Sequence, residues 1–166
     1  ALNNAFLISI PFGLTVMTMS IGKHMDKYEA DYAKPVYTLP VIIGIKWASR
    51  VCQFTIILFF ILSLFSVIEG HYAMVVVVLA IPRAIYVIKK FNEPIPDTQK
   101  EAFDIAFEAL PPHLKEKVIE QDMENIFPVW PLWYVAWAFH FVKIAGATFV
   151  LGLIIDTLIV LKFIPL

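Results

Sequence analysis

The sequence predicts an all-α integral membrane protein, and its composition and the lengths of its apolar runs carry that prediction. Of its 166 residues, 60% are hydrophobic and only 16% are charged, and the mean hydropathy is +0.76. Soluble domains average about 45–50% apolar and about 25% charged residues. Several apolar runs approach the roughly 20 residues that a helix needs to cross a bilayer. We therefore expect one polytopic bundle over residues 1–166, with about four membrane helices.

The predicted spans cover residues 5–21, 51–67, 72–88 and 144–163. Pro11 and Pro82 fall inside the first and third spans, where neighbouring helices can cover the backbone groups that a proline frees. Four consecutive valines, at 75–78, have apolar neighbours on both sides and favour helix over strand. The last apolar segment, 127–166, is too long for one crossing, so we expect an interfacial aromatic part and a joint near Gly146.

Two polar connections, 22–50 and 89–127, separate these spans. Both are rich in lysine, whereas the turn at 69–71 has neither lysine nor arginine, so the positive-inside rule places both connections in the cytoplasm. In the second connection, Thr98 and Glu101 have the spacing of a capping box at a helix start. A further amphipathic helix is expected from Leu114 to about Asn125.

The first connection contains an unusual density of charge beside apolar sequence, from Lys23 to Gly44. Asp26 and Glu29 are three residues apart and share one face of a helix, whereas Asp31 needs a bend to join them. Carboxylate oxygens suit Mg²⁺, which usually keeps several waters and bridges to phosphate. The alternative is a solvated charged loop that flanks a membrane helix.

Lysines are interleaved with these carboxylates. Lys27 and Lys34 are placed to contact diphosphate oxygens, because ammonium groups form charge-assisted hydrogen bonds to phosphate. The neighbouring spans offer apolar walls for a long hydrocarbon tail. An anionic head at the membrane edge with a tail in the bilayer describes a polyprenyl diphosphate.

The order of residues here resembles the second aspartate-rich motif of the UbiA-type intramembrane prenyltransferases. D-K-Y-E-A-D is followed by K-P-V-Y-T-L-P-V-I-I-G. The positions that match the family pattern are Asp31, Thr38, Leu39, Pro40, Val41 and Gly44. A short-looped hairpin and a W-P-L-W-Y segment downstream fit as well. Pro35 and Tyr37 depart from the pattern, which usually has glycine and a basic residue there.

The resemblance implies the C-terminal half of a nine-helix enzyme that transfers a polyprenyl group from its diphosphate to an aromatic or other lipophilic acceptor, with Mg²⁺ as cofactor. By this resemblance Asp31 is a metal-binding catalytic carboxylate, Asp26 its partner and Glu29 a further metal ligand. Lys27 and Lys34 would contact the prenyl diphosphate. The family's first aspartate-rich motif is absent from these residues, so the other half is expected upstream or on a partner chain.

A second hypothesis is a non-catalytic membrane subunit that binds lipid, quinone or pigment in a larger assembly. His140 lies among aromatic residues and is either a metal ligand or a hydrogen-bonded packing residue. Arg83 is expected to extend to the interface, and Asp156 is an acid inside the last span. A net charge of -1 and a pI near 6.5 give no basic field for nucleic acid.

Overall fold

The computed structural model describes residues 2–110, 112–120 and 132–163, and these residues contain helices and no strand. The helices are α1 (Leu2–Asp26), α2 (Tyr28–Ala33), α3 (Leu39–Ile43), α4 (Ile45–Ile68), a 3₁₀ helix (Tyr72–Ala80), α5 (Ile81–Lys90), α6 (Gln99–Glu108), α7 (Pro112–Glu120) and α8 (Trp133–Phe163). The predicted all-α class is confirmed.

Three helical segments of the described chain are long and apolar enough to cross a membrane: Ile45–Ile68, Tyr72–Lys90 and Trp133–Leu161. Their outward surfaces carry large apolar side chains, among them Phe54, Ile61, Leu79 and Leu158, each more than half exposed. Such surfaces suit contact with lipid rather than water. The chain is therefore a membrane protein. The remaining predicted span, 5–21, lies within α1 but is not one of the three, so its crossing stays a prediction.

Four long segments form the bundle: α1 packs against α4 and α8, and the 3₁₀ helix packs against α4 and α8. Large side chains such as Phe59, Met74 and Phe141 fill the centre and are almost completely buried. A hydrogen bond of 2.7 Å between the Thr18 and Thr55 hydroxyl groups joins α1 to α4 inside this core. Each hydroxyl also has a carbonyl partner on its own helix, Leu14 for Thr18 and Cys52 for Thr55, so this contact joins the two helices inside the core while both polar groups stay paired.

The third span changes its helix type just before a proline. Residues Tyr72–Ala80 form a 3₁₀ helix, and α5 follows with Pro82 in its first turn. A proline has no backbone N–H, and its ring clashes with the carbonyl four residues earlier in a continuous α-helix. The 3₁₀ helix that contains the valine run therefore changes to an α-helix next to Pro82, the proline that falls inside the predicted third span.

The last helix, α8, is continuous where we expected a joint. It runs for 31 residues through Gly146, and a Cβ at that position would have only the side-chain Cε2 atom of Phe12 within 4 Å, at 3.6 Å. At 1.5 Å per residue, 31 residues extend about 46 Å, which exceeds a hydrocarbon core of about 30 Å. One helix is therefore long enough to hold the aromatic residues at its start and still cross the bilayer.

Residues 22–50 are more ordered than the loop that we predicted. Helix α1 continues to Asp26, and two short helices follow before α4. Pro40 is buried in the first turn of α3, where a missing N–H costs nothing. Gly44 has a φ of +81°, a left-handed conformation that favours glycine, and it separates α3 from α4.

The second connection keeps its predicted cap. The Thr98 hydroxyl oxygen accepts a hydrogen bond from the Glu101 backbone N–H at 3.2 Å, at the start of α6. Helix α7 spans Pro112–Glu120, and the predicted continuation to Asn125 lies outside the described residues.

At the opposite end of the bundle, His71 Nδ1 lies 2.6 Å from Asp156 Oδ2, so the acid predicted inside the last span has a partner.

Helices α1 and α8 approach each other closely at Gly22. A Cβ on Gly22 would lie 3.0 Å from the Tyr134 carbonyl oxygen and 3.1 Å from its carbonyl carbon, both backbone atoms that cannot rotate away. We expect Gly22→Ala to lower the free energy of unfolding by about 2 kcal/mol, because overpacking forces the helices apart.

Gly13 provides a matched control on the same helix, because a Cβ there meets nothing within 4 Å. We expect Gly13→Ala to be neutral or to stabilise by up to about 1 kcal/mol, since alanine is the better helix former. Thermal unfolding of the purified protein in detergent measures both effects. Equal midpoints for the two variants would mean that α1 and α8 do not approach closely at Gly22.

Candidate functional site

The charged residues of the first connection lie at one end of the bundle, which we call the polar end: α1 and α5 finish there, and α4 and α8 begin there. Hydrogen bonds join these four ends. The Ser49 hydroxyl on α4 donates to the Phe91 carbonyl oxygen after α5, and the Tyr134 hydroxyl on α8 donates to the Glu93 carbonyl oxygen at 3.3 Å. The polar end is therefore a connected structure.

Asp26 ties the end of α1 to the start of α8. One carboxylate oxygen accepts a hydrogen bond from the Tyr134 N–H and the other from the Val135 N–H, both at 2.8 Å. These N–H groups belong to the first turn of α8 and have no partner within the helix. A carboxylate at a helix N-terminus satisfies such donors and interacts favourably with the helix dipole. Asp26 therefore acts here as the N-terminal cap of α8.

Two opposing effects act on the ionisation of Asp26. Burial disfavours the charged form and raises the pKa from 3.8 to about 6, while the backbone hydrogen bonds from residues 133–135 lower it. The larger effect is burial. The pKa of this carboxyl group, about 6, is consequently higher than that of an exposed aspartate.

Asp31 lies on α2 and is held by a histidine from the end of α1. His24 Nδ1 is 3.0 Å from Asp31 Oδ2, and since an ionised carboxylate only accepts, the imidazole N–H is the donor. The Asp31 side chain is 15% exposed, so it is screened from solvent but reachable. The Lys27 carbonyl oxygen accepts from the Asp31 N–H at 2.8 Å, which fixes the backbone at this position.

The other three predicted site residues face outward. Glu29, Lys27 and Lys34 are all exposed, and none of them forms an ion pair with any described residue. Glu29 and Asp31 are two residues apart on a helix of six residues, so they do not share a face. The structure brings together Asp31 and His24, and it places Asp26 against α8 rather than beside them.

A magnesium site built from these acids would need their carboxylates to lie together. Within the described residues, no group of three histidine, cysteine, aspartate or glutamate side chains is arranged to hold a metal ion. Both oxygens of Asp26 already accept backbone hydrogen bonds, and Glu29 lies on a different face from Asp31. The three carboxylates therefore do not lie together as one magnesium site; Glu29 is exposed, whereas Asp31 is partly buried and pairs with His24 through one carboxylate oxygen, Oδ2.

A cavity that the sequence did not suggest lies beside these residues at the polar end. It has a volume of about 510 Å³ and is lined by Ile45, Lys46, Ser49, Arg50, Phe91, Asn92, Pro94 and Tyr134. From sequence alone, Lys46 and Arg50 are two of the basic residues of the connection 22–50 and indicate only membrane orientation. Their spacing of four residues, with a hydroxyl between them, was the signal for a cationic face on the first turns of α4.

The aromatic segment at the start of α8 forms a packed cluster. Trp133 and Trp137 meet edge to face at 5.5 Å between ring centroids, and His140 contacts Trp137 at 6.2 Å. The His140 Nε2 atom is buried and has no hydrogen-bond partner among the described residues, and both roles proposed for this histidine stay predictions. Arg83 donates to the Ala109 carbonyl oxygen at 3.3 and 3.4 Å, which joins α5 to the end of α6.

No protein-family model, curated protein or solved structure matches this chain. The functional assignment therefore rests on the residues and on the geometry of the polar end.

Proposed function

We propose that this chain is the C-terminal part of a membrane prenyltransferase of the UbiA type, which transfers a polyprenyl group from its diphosphate to an aromatic or other lipophilic acceptor. The observation that carries the proposal is Asp31, a partly buried carboxylate oriented by His24 at the polar end of a membrane bundle. In a solvated charged loop the carboxylate would be exposed, whereas the Asp31 side chain is only 15% exposed.

The residues after Asp31 support the same proposal. The T-L-P-V-I-I-G block forms a short helix with a buried proline at its start and a glycine of positive φ at its end. Each feature needs its own residue type, so the block has a defined shape and is not a generic linker. That shape carries the chain from Asp31 to the first turn of α4.

The proposal keeps magnesium as the cofactor but assigns it one ligand from this chain instead of three. Asp31 would supply one oxygen ligand, and the remaining ligands would come from the diphosphate, water and carboxylates outside these residues. A bound magnesium ion would offset the negative charge of a departing diphosphate. Within this chain, His24 holds the Asp31 carboxylate in a fixed orientation, and Asp26 fixes the start of α8 at the same polar end.

The proposal includes an orientation and a second half. The positive-inside rule places the polar end in the cytoplasm, where a soluble diphosphate product would be released. A first aspartate-rich motif, from the preceding half or from a partner chain, would complete the site. The large apolar side chains exposed on α4 and α8 are available to contact that half or lipid.

The direct test is an assay of the full-length protein in native-like membranes with a prenyl diphosphate and a mixture of aromatic acceptors. We expect release of diphosphate that requires Mg²⁺ and stops when the metal is chelated. Absence of turnover with every prenyl chain length and acceptor class, in protein that remains folded, would reject the proposal.

One observation favours the second hypothesis, a non-catalytic membrane subunit. Asp26, expected as a metal ligand, has both oxygens engaged by α8, which is a structural role. A subunit of this kind would purify with bound lipid, quinone or pigment and would not turn over a prenyl diphosphate. Absorbance and mass spectra of the purified protein distinguish the two functions.

A further inference from the structure

The cavity at the polar end combines positive charge with hydrogen-bonding groups. Lys46 and Arg50 stand one helical turn apart on α4 and line the cavity together with two polar residues, Ser49 and Asn92. Neither cation forms an ion pair with any described residue. Two like charges on one face repel each other unless an anion lies between them.

The polar wall of the cavity is held in place by buried hydrogen bonds. The Gln53 side-chain N–H group donates to Asn92 Oδ1 at 2.9 Å and to the Ser49 hydroxyl at 3.3 Å, and Ser49 in turn donates to the Phe91 carbonyl oxygen. Ser49 and Gln53 are both buried. This network joins α4 to the segment after α5, so the wall is preorganised rather than formed by mobile surface side chains.

Carboxylates on the neighbouring elements do not neutralise these cations. Asp26, next to Tyr134 in space, accepts hydrogen bonds from α8, and Glu93 pairs with Lys90 at 2.7 Å. The first turn of α4 also lacks a side-chain cap, so the positive end of its helix dipole adds to the field. The cavity is therefore suited to a ligand that brings its own negative charge.

We propose that this cavity binds a phosphate group between Lys46 and Arg50. Arginine recognises phosphate in a bidentate manner, and lysine adds a point charge. The volume of about 510 Å³ suits a group larger than a single ion, because pockets for small molecules measure roughly 300–1,000 Å³. A phospholipid headgroup and a free diphosphate both carry this chemistry.

The proposal does not depend on the proposed transferase function, because it rests on the cavity and its cations alone. Binding can therefore be measured without turnover. The double variant Lys46→Gln/Arg50→Gln removes both charges, and since both side chains are exposed it should leave the fold intact. The variant Lys89→Gln/Lys100→Gln removes the same net charge from two exposed lysines that do not line the cavity and serves as the control.

Two measurements on the full-length protein separate the sources of phosphate. The first is calorimetric titration of inorganic diphosphate into protein in nanodiscs of phosphatidylcholine. The second is retention of phosphatidylglycerol, relative to phosphatidylcholine, in native mass spectra from mixed micelles. We expect at least one of the two affinities to fall about tenfold or more in the cavity variant and to stay within about twofold in the control.

Loss of diphosphate binding in the cavity variant identifies a soluble anion as the ligand, and loss of phosphatidylglycerol retention identifies a lipid headgroup. Either result supports the phosphate site. The proposal is overturned if the wild type and the cavity variant bind each probe equally, if both variants lose binding equally, or if the wild type binds neither probe. Thermal midpoints of the variants, measured in the same micelles, report whether a loss reflects unfolding.

Discussion

Diphosphate release from a prenyl diphosphate is expected to fall at least about a hundredfold when Asp31 is changed to asparagine in the full-length protein, because an interaction with the leaving diphosphate is worth several kcal/mol in the transition state. Asparagine keeps the shape of the side chain and can still pair with His24, but it lacks the negative charge that holds a cation. The effect should appear in the rate of release with little change in thermal stability.

Two further variants make this prediction specific. Asp104→Asn alters an exposed carboxylate on α6, away from Asp31, and should leave the rate unchanged. Glu29→Gln tests the residue that the sequence grouped with Asp31 but that lies on another face of α2. Full activity of the Asp31→Asn variant, or a larger loss in Glu29→Gln than in Asp31→Asn, would contradict the assignment of Asp31.

Structural elements that depend only on residues close together in the sequence were predictable. The apolar runs predicted at 51–67, 72–88 and 144–163 overlap the three candidate spans, and Thr98 with Glu101 predicted a cap that the structure contains. In each case the signal is local, because lipid requires long apolar helices and a capping box closes within one turn. The valine run was correctly predicted as helical, although its 3₁₀ winding was not predicted.

The role of Asp26 was beyond sequence reasoning. Its partners, Tyr134 and Val135, are more than a hundred residues away along the chain. Its spacing from Glu29 and Asp31 suggested a shared metal site, but spacing gives only the face of an isolated helix. The chain breaks the helix at Lys27, so Asp26 ends α1 while the other two acids belong to α2.

The cavity at the polar end was missed for a related reason. Its walls come from three separate parts of the chain: the first turns of α4, the segment after α5 and the start of α8. Only the pair of Lys46 and Arg50 is visible locally. A charged pair at the end of a membrane helix also satisfies the positive-inside rule, so the sequence offers no reason to choose a ligand site over orientation.

The pH dependence of stability offers a test of how Asp26 holds α1 to α8. Burial raises its folded pKa from 3.8 to about 6, so the folded protein binds a proton there more tightly than the unfolded chain. The contribution of this group to stability is therefore fully present below about pH 4. It is lost as pH rises toward about 6, where the folded carboxyl group must ionise in a partly buried site.

Comparison with the variant Asp26→Ala isolates this effect, because all other titrating groups are common to both proteins. We expect the wild type to be more stable by about 2 kcal/mol near pH 4, and we expect this advantage to shrink by a similar amount by pH 7. Thermal unfolding in detergent from pH 4 to pH 8 measures the difference. An advantage that instead grows with pH would mean that the hydrogen bonds from Tyr134 and Val135 outweigh burial, and that the charged carboxylate is the better cap for α8.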